Sequence, residues 1–210
     1  LLKNMIIIML SIFVPFILVT ACFGANVISL LYERGEFTSE LASVTGTLFA
    51  IYTLGAFGYV CQELFNKILY LDGKYSYTVA GTIIVIALKP VINVFAGNYG
   101  VVAIALTTTV LFTLYAISIA LAIRKVTGNY IDREFLKNIL KIVYAGLSAL
   151  AVFLVFKLAM PSVTKDRVLF LVPLVACGVI YIGILWVSGI VKIILRSKNA
   201  DIPQSKGAEE

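Results

Sequence analysis

The sequence predicts an all-α integral membrane protein with about six transmembrane helices. Hydrophobic residues make up 61% of the 210 residues and charged residues only 13%, whereas a soluble domain carries roughly 25% charged residues because its surface faces water. The mean hydropathy of +1.03 agrees with that contrast. Most of the chain consists of apolar segments long enough to cross the roughly 30 Å hydrocarbon core of a bilayer.

Six apolar segments qualify as spans, because a spanning helix needs roughly 20 mostly apolar residues. They lie at approximately 4–32, 42–70, 77–95, 99–123, 138–160 and 168–195. Pro15 removes a backbone donor in the middle of the first segment and is expected to bend that helix.

Polar or turn-forming residues connect these segments. The first connection, 33–40, is polar, and either Thr38 or Ser39 is suited to cap the start of the second helix. The second connection is an Asp-Gly turn within 71–74, and the third is the tight glycine-containing turn 96–100. The later connections are a long basic stretch over 124–137 and a Pro-Ser turn at 161–162 followed by three charged residues.

Basic residues are concentrated on one side of this predicted topology. That side carries Lys3, Lys67, Lys74, Arg124, Lys125, Arg133, Lys137, Lys141, Lys192, Arg196, Lys198 and Lys206. The opposite side carries only Arg34, Lys165 and Arg167. The positive-inside rule therefore predicts that both ends of the chain are cytoplasmic. Because the charges form short clusters between apolar runs, the net charge of +6 does not indicate a nucleic-acid partner.

An amphipathic element is expected before the fifth segment. In the stretch 130–143, one helical stripe is apolar and the charged residues lie elsewhere; the stripe consists of Ile131, Phe135, Ile139 and Ile142. Such a helix is expected to lie along the cytoplasmic interface before the chain enters the membrane.

The composition argues against an enzyme. The chain has no histidine, which excludes serine–histidine triads, cysteine–histidine pairs and histidine metal sites. Cys22, Cys61 and Cys177 lie far apart inside apolar runs, so we predict inert membrane-buried thiols. No phosphate-binding loop, paired carboxylates or metal-ligand cluster is present in the sequence. We therefore expect no catalytic residue, no cofactor and no metal, and the residues alone indicate a multi-span membrane protein, most simply a transporter.

A few polar residues inside the spans are candidates for a substrate path, because burying a charge at the centre of a span costs about 2.5–3.5 kcal/mol. Lys89 either snorkels to the outer interface or lines a hydrated cavity and meets an anionic head group. Glu63 and Lys67 either form an intrahelical pair or line the inner mouth of a transport path. For Asn93, an interhelical hydrogen bond is favoured over a role in that path.

Other intramembrane residues favour packing roles. Gln62, Asn66 and Asn26 are candidates for interhelical hydrogen bonds. Lys157, near the end of the fifth segment, is expected to snorkel. Several glycines either allow close helix packing or leave a groove, namely Gly46, Gly55, Gly58, Gly178, Gly183 and Gly189.

Short motifs at the turns resemble those of the MurJ (MviN-like) lipid II flippases, which belong to the larger group of polysaccharide flippases and multidrug exporters. The first motif is the string 30–38, in which the loop residues are Glu33, Arg34, Gly35, Phe37 and Thr38. The similarity continues through 52–55, through Asp72, Gly73 and Lys74, and through Asn93 with the string 97–103. It covers roughly residues 10–125, and the last two spans fit the extra helix pair that this family has beyond its twelve-helix relatives.

The resemblance implies that these are the ninth to fourteenth helices of a two-lobed flippase, so the chain is expected to be a piece of a longer polypeptide. Residues 1–125 would form four helices of the second lobe, 126–137 a cytoplasmic connection, 138–196 the additional helix pair, and 197–210 a disordered cytoplasmic tail. The implied activity is translocation of undecaprenyl-diphosphate-linked lipid II across the bacterial inner membrane by alternating access. The implied partners are that glycolipid or a similar one, membrane lipids, and the N-terminal helices, which would carry most of the cationic cavity.

Two departures from the family pattern keep other functions open. Lys67-Ile68 stands where the family has an aromatic Phe-Tyr pair, and Tyr75-Ser76 stands where it has Thr-Pro. The alternatives are a flippase for another polyprenyl-linked polysaccharide, a related multidrug exporter, and a membrane scaffold that transports nothing.

Overall fold

The computed structural model describes residues 2–127, 132–166 and 168–200. Over these ranges the chain is all-helical, with α1 Leu2–Tyr32, α2 Ser39–Leu71, α3 Tyr75–Gly97, α4 Val101–Thr127, α5 Arg133–Ala159, α6 Pro161–Lys165, α7 Leu171–Val187 and α8 Ile190–Ala200. The first five helices are long and apolar enough to cross a membrane, and α7 is a shorter apolar helix of 17 residues. The predicted all-α membrane fold is confirmed.

The long helices form a row in the order α3, α4, α2, α1, α5, α7. α1 is central, because it packs against α2 on one side and against α5 on the other, and it also contacts α7 and α8. Buried apolar side chains fill the space between α1, α5, α7 and α8, and a second cluster joins α2 to α4. A third cluster is a group of aromatic rings, Phe23, Phe153 and Phe170.

The turns follow from residues that the sequence places at the helix ends. Thr38 is the N-cap of α2, and its hydroxyl accepts a hydrogen bond from the Leu41 amide. Gly73 and Gly100 have φ values of +67° and +89°, which glycine adopts without steric cost. Asp132 caps α5 by accepting a hydrogen bond of 2.8 Å from the Phe135 amide. These contacts explain why the connections fall where the sequence predicts them.

One end of the row holds the first residues of α1 and α5. There the Lys3 ammonium and the Asp132 carboxylate form an ion pair. The hydrogen bond from Lys3, together with the one from the Phe135 amide, lowers the pKa of Asp132 below its usual range. This ion pair joins two helices that are far apart in sequence, and both partners lie at the end where most of the basic residues occur.

Glycine allows α1 and α2 to touch through their backbones. A Cβ atom added to Gly46 would lie 2.4 Å from the Ala25 nitrogen, and one added to Gly24 would lie 2.8 Å from the Gly46 carbonyl oxygen. On the other face of α2, a Cβ at Gly55 would lie 2.7 Å from the Thr109 hydroxyl of α4. Of the two interpretations of Gly46 and Gly55, close packing is the one that the structure shows.

The sixth predicted span is wrong in its extent. The apolar run 168–195 does not form one helix, because α7 ends at Val187 and α8 begins at Ile190. Gly189 has a φ of +79°. This left-handed conformation commonly ends a helix, and residues other than glycine disfavour it. The apolar helix in this segment, α7, is therefore shorter than the predicted span.

The expected interfacial helix before the fifth span is also wrong. α5 is one continuous helix from Arg133 to Ala159, and Phe135 and Ile142 are buried against α1, α7 and α8 instead of lying on a membrane surface. The predicted bend at Pro15 leaves no break in the helix, since α1 is helical on both sides of that residue.

Several predictions fall on parts of the chain outside the described residues. They concern residues 128–131 of the predicted connection 126–137, Arg167, and residues 201–210 of the predicted tail. The first residues of that predicted tail, up to Ala200, belong to α8.

Candidate substrate path

Lys89 of α3 lies against an aromatic ring of α4 that also contacts α2. Its ammonium on α3 is 5.3 Å from the centre of the Phe112 ring on α4, and Tyr59 of α2 packs on the same ring with centroids 5.4 Å apart. We call Lys89, Phe112 and Tyr59 the Lys89 cluster. A cation over an aromatic face is stabilised by the quadrupole of the ring, by about 2 kcal/mol when the pair is desolvated.

The position of Phe112 shows where the ammonium is held. Lys89 lies eight residues before the end of α3, and Phe112 lies eleven residues after the start of α4. At a rise of 1.5 Å per residue, these positions are roughly 12 Å and 16 Å from the same end of the bundle. The ammonium therefore sits within the helix layer, and the side chain does not extend toward the interface. Lys89 itself is half-buried.

Glu63 and Lys67 continue the same face of α2 away from the α3–α4 turn. Tyr59, Glu63 and Lys67 succeed each other at intervals of four residues, which places them on one side of the helix. Glu63 is half-buried and Lys67 is exposed. Their charged groups do not form an ion pair in the part of the chain that the structure describes. The intrahelical pair is therefore absent from this conformation, and both charges lie on an open face.

Asn93 forms the interhelical hydrogen bond that the sequence favours. Its side-chain oxygen accepts a hydrogen bond of 3.0 Å from the Thr107 hydroxyl, which links α3 to α4 one turn from Lys89. Asn26 has a similar role between α1 and α6, where its amide nitrogen donates to the Thr164 carbonyl oxygen at 3.2 Å.

Gln62 and Asn66 lie on the stripe of α2 that faces α4. They are only 6% and 5% exposed. Among the described residues, the side-chain oxygens of both lack a hydrogen-bond partner. The expectation that they link helices through these oxygens is not met in this conformation. Near them, Tyr115 of α4 donates a hydrogen bond of 2.9 Å to the Thr78 carbonyl oxygen of α3.

The loop motif between α1 and α2 shapes a turn. Gly35 has a φ of +56°, Thr38 caps α2, and the Phe37 ring packs against Tyr32 with centroids 6.2 Å apart. Glu33 accepts a hydrogen bond from the Ser29 hydroxyl, and Arg34 is exposed. Three of these motif residues therefore make local side-chain contacts, Gly35 supplies a left-handed residue, and the Arg34 side chain is exposed.

The second motif also ends a helix. Asp72 is the C-cap of α2, with its amide donating to the Ile68 carbonyl at 3.1 Å. Gly73 supplies the left-handed residue, and the Lys74 amide donates to the Leu69 carbonyl at 2.8 Å. The Lys74 side chain is exposed beside the turn. These two motifs therefore lie at opposite ends of α2, and neither belongs to the Lys89 cluster.

An apolar cleft between α1, α5 and α7 was not identified from the sequence. Its cavity volume is about 40 Å³, and its walls include Pro15, Cys22, Phe23, Phe153, Leu174 and Cys177. At one side Tyr181 of α7 donates a hydrogen bond of 3.0 Å to the Ser11 carbonyl of α1, which holds the two helices together below the cleft. The sequence signal for this cleft was Gly178, for which a groove was one of the two interpretations and close helix packing the other.

Comparison with known families accounts for most of the chain. A family model described as lipid II flippase MurJ matches residues 1–189, a range that contains the Lys89 cluster, both turn motifs and the apolar cleft. A comparison with curated proteins found no match. The family match confirms the resemblance carried by the turn motifs. The chain belongs to the MurJ lipid II flippase family.

Proposed function

We propose that this chain forms part of a flippase that moves lipid II across the bacterial inner membrane by alternating access. Members of its family are membrane transporters of this kind. The observation that carries the proposal within this chain is the Lys89 ammonium held inside the helix layer. A charge at that depth faces protein or water and not lipid, so the open face beside it is suited to line a transport path.

The Lys89 cluster has the chemistry to hold a diphosphate. The Phe112 ring attracts the ammonium through its face and uses none of its three N–H donors. These donors remain available for charge-assisted hydrogen bonds to phosphate oxygens. Tyr59 adds a hydroxyl on the same face, and it is 45% exposed.

The apolar cleft is suited to the polyprenyl chain of the substrate. The polyprenyl chain of lipid II is a long hydrocarbon, and the cleft between α1, α5 and α7 is lined almost wholly by apolar side chains. In this family the additional helix pair, which corresponds to α5 and α7 here, is understood to form a groove for that tail. We propose that the cleft is part of this groove.

The remaining elements of the proposal concern the whole protein. We propose that N-terminal helices complete a fourteen-helix assembly and contribute further cationic residues to the cavity. Both ends of the present chain are proposed to be cytoplasmic, since the ends of the helices that meet near Lys3 and Asp132 carry most of the basic residues.

A pair of substitutions at Lys89 tests the head-group role. In the complete protein, Lys89→Leu is expected to reduce lipid II transport at least ten-fold, since one charge-assisted hydrogen bond contributes roughly 1.5–3 kcal/mol. Lys89→Arg keeps the charge and is expected to retain most of the activity. The matched control is Lys157→Leu, which removes an exposed lysine of α5 and should leave transport unchanged. Full transport by Lys89→Leu would overturn the role of this cluster.

The same assay separates the alternatives. Lys67-Ile68 and Tyr75-Ser76, which differ from the family pattern, lie at the end of α2 and the start of α3, where a substrate would enter from the cytoplasm. Transport of another polyprenyl-diphosphate saccharide in preference to lipid II would favour the polysaccharide flippase. Absence of any transport by the wild-type protein would favour the scaffold.

A further inference from the structure

The junction between α7 and α8 turns the chain onto the end of the bundle. Gly189, with its φ of +79°, breaks the helix, and Ile190 is then completely buried. Ile193 and Ile194 also pack against the apolar cluster of α1, α5 and α7, whereas Lys192 is exposed. α8 therefore covers the bundle with its apolar face and directs at least one basic residue outward.

Lys141 of α5 is fixed at this junction. Its ammonium donates a hydrogen bond of 2.9 Å to the Ser188 carbonyl oxygen, which lies at the C-terminal end of α7, where the helix dipole is negative. An ammonium has three N–H donors, so two remain for another acceptor. The protein therefore fixes the position of the Lys141 side chain and uses one of the three donors of its ammonium.

A hollow opens next to this ammonium. It is lined by Lys141, Tyr144, Gly183, Ile184, Val187 and Ser188. No atom lies within 4 Å of the position that a Cβ on Gly183 would take, so the wall is open there. None of the six lining residues is acidic. The surface of the hollow is almost wholly apolar, and the Lys141 ammonium lies beside it on the Ser188 carbonyl oxygen.

Its surroundings are those of a bilayer interface. Trp186 is 70% exposed and Tyr144 is 65% exposed, and these two residue types are enriched at the level of lipid head groups. Leu140 and Val187 are exposed beside them, as expected for residues that contact acyl chains. Lys141 lies eight residues into α5, roughly 12 Å from its first residue, so a water-soluble polyanion would meet lipid before reaching it.

We propose that this hollow, which we call the α7–α8 corner, binds an anionic bilayer lipid, with the upper part of an acyl chain in the hollow and the phosphate beside it at the Lys141 ammonium. Lys141 would supply the positive charge, reinforced by the exposed Lys192 of α8, which follows Ser188 by four residues; Tyr144 would supply a hydroxyl, and Val187 and Ile184 the contact with the acyl chain. Basic pockets between transmembrane helices at the membrane surface recognise anionic head groups in this way. The site is separate from the Lys89 cluster, and it lies at the opposite end of the helix row.

Trp186 provides the reporter, since it is the only tryptophan in the chain. The complete protein, with any tryptophan outside these 210 residues replaced by phenylalanine, is reconstituted into phosphatidylcholine vesicles that contain either brominated phosphatidylglycerol or brominated phosphatidylcholine at the same mole fraction. Bromine quenches tryptophan fluorescence only at close range. We expect stronger quenching by the anionic lipid, with each lysine contributing roughly five-fold to its relative affinity. The double variant with Lys141→Gln and Lys192→Gln should lose this excess.

Two further variants make the result decisive. Arg124→Gln with Lys125→Gln removes two charges from the end of α4, at the same end of the bundle, and should keep the excess quenching. Lys141→Arg preserves the charge and should keep it as well. Equal quenching by the two lipids in the wild-type chain would overturn the proposal. So would an equal loss in the α4 double variant, because the preference would then reflect general surface charge.

Discussion

Replacing Gly46 with alanine tests the direct backbone contact between α1 and α2. The new Cβ would lie 2.4 Å from the Ala25 nitrogen, whereas ordinary van der Waals contact begins at 3.4 Å. α1 and α2 must therefore move apart by about 1 Å, and no side-chain rotation can relieve a clash with backbone; overpacking of this kind costs about 1–3 kcal/mol. We expect the free energy of unfolding to fall by about 2 kcal/mol, a roughly thirty-fold change in the ratio of folded to unfolded protein.

The assay is reversible unfolding in mixed micelles, followed by circular dichroism as the denaturing detergent is increased. The matched control is Gly183→Ala, because a Cβ at that position meets no atom within 4 Å. In a helix interior this exchange is neutral or stabilising by up to about 1 kcal/mol. An unchanged midpoint for Gly46→Ala, or equal losses in both variants, would refute the backbone contact between α1 and α2.

Three further outcomes are expected. Leu174→Trp should fill the apolar cleft and lower lipid II transport several-fold, whereas Val175→Trp, whose parent side chain is 62% exposed, should leave transport unchanged at equal protein levels. Because the pKa of Asp132 is lowered in the folded state, its ion pair contributes fully to stability above the ordinary pKa of 3.8. This contribution is lost as the pH falls through the folded-state pKa. The variant Asp132→Asn keeps a capping side chain, and it should lower stability near pH 7 and remove that acid dependence. A double-mutant cycle with Asn93→Leu and Thr107→Val should give a coupling of about 0.6 kcal/mol, as for other intramembrane hydrogen bonds, and no coupling would contradict that bond.

The positions of the first five spans were predictable because hydrophobicity and turn chemistry agree there. Thr38, Gly73 and Gly100 each sit at a helix end for a local reason that the sequence contains. The break at Gly189 was not predictable, since a glycine inside a long apolar run is compatible both with a continuous thin helix and with a left-handed turn. Only the packing of Ile190 against α1, α5 and α7 decides between these alternatives.

In the candidate site, too, some residues could be selected from the sequence, whereas their contacts could not be predicted. Lys89 could be selected from the sequence because an isolated charge inside a span needs a partner. Phe112 could not be assigned as that partner, because the assignment depends on the register between α3 and α4. Glu63 and Lys67 have the right spacing for a pair, but no ion pair forms between them on this open face of α2. The apolar cleft brings together residues as distant as Cys22 and Cys177, and no local pattern encodes that contact.

Lipid II translocation in cells depleted of this protein tests the proposed function most directly. The measurement is the accessibility of lipid II to an added hydrolase that cannot cross the inner membrane, in cells without another flippase. We predict that depletion makes lipid II inaccessible while its total amount rises, and that the wild-type protein restores access. Normal accessibility after depletion would contradict the assignment of this transporter to lipid II.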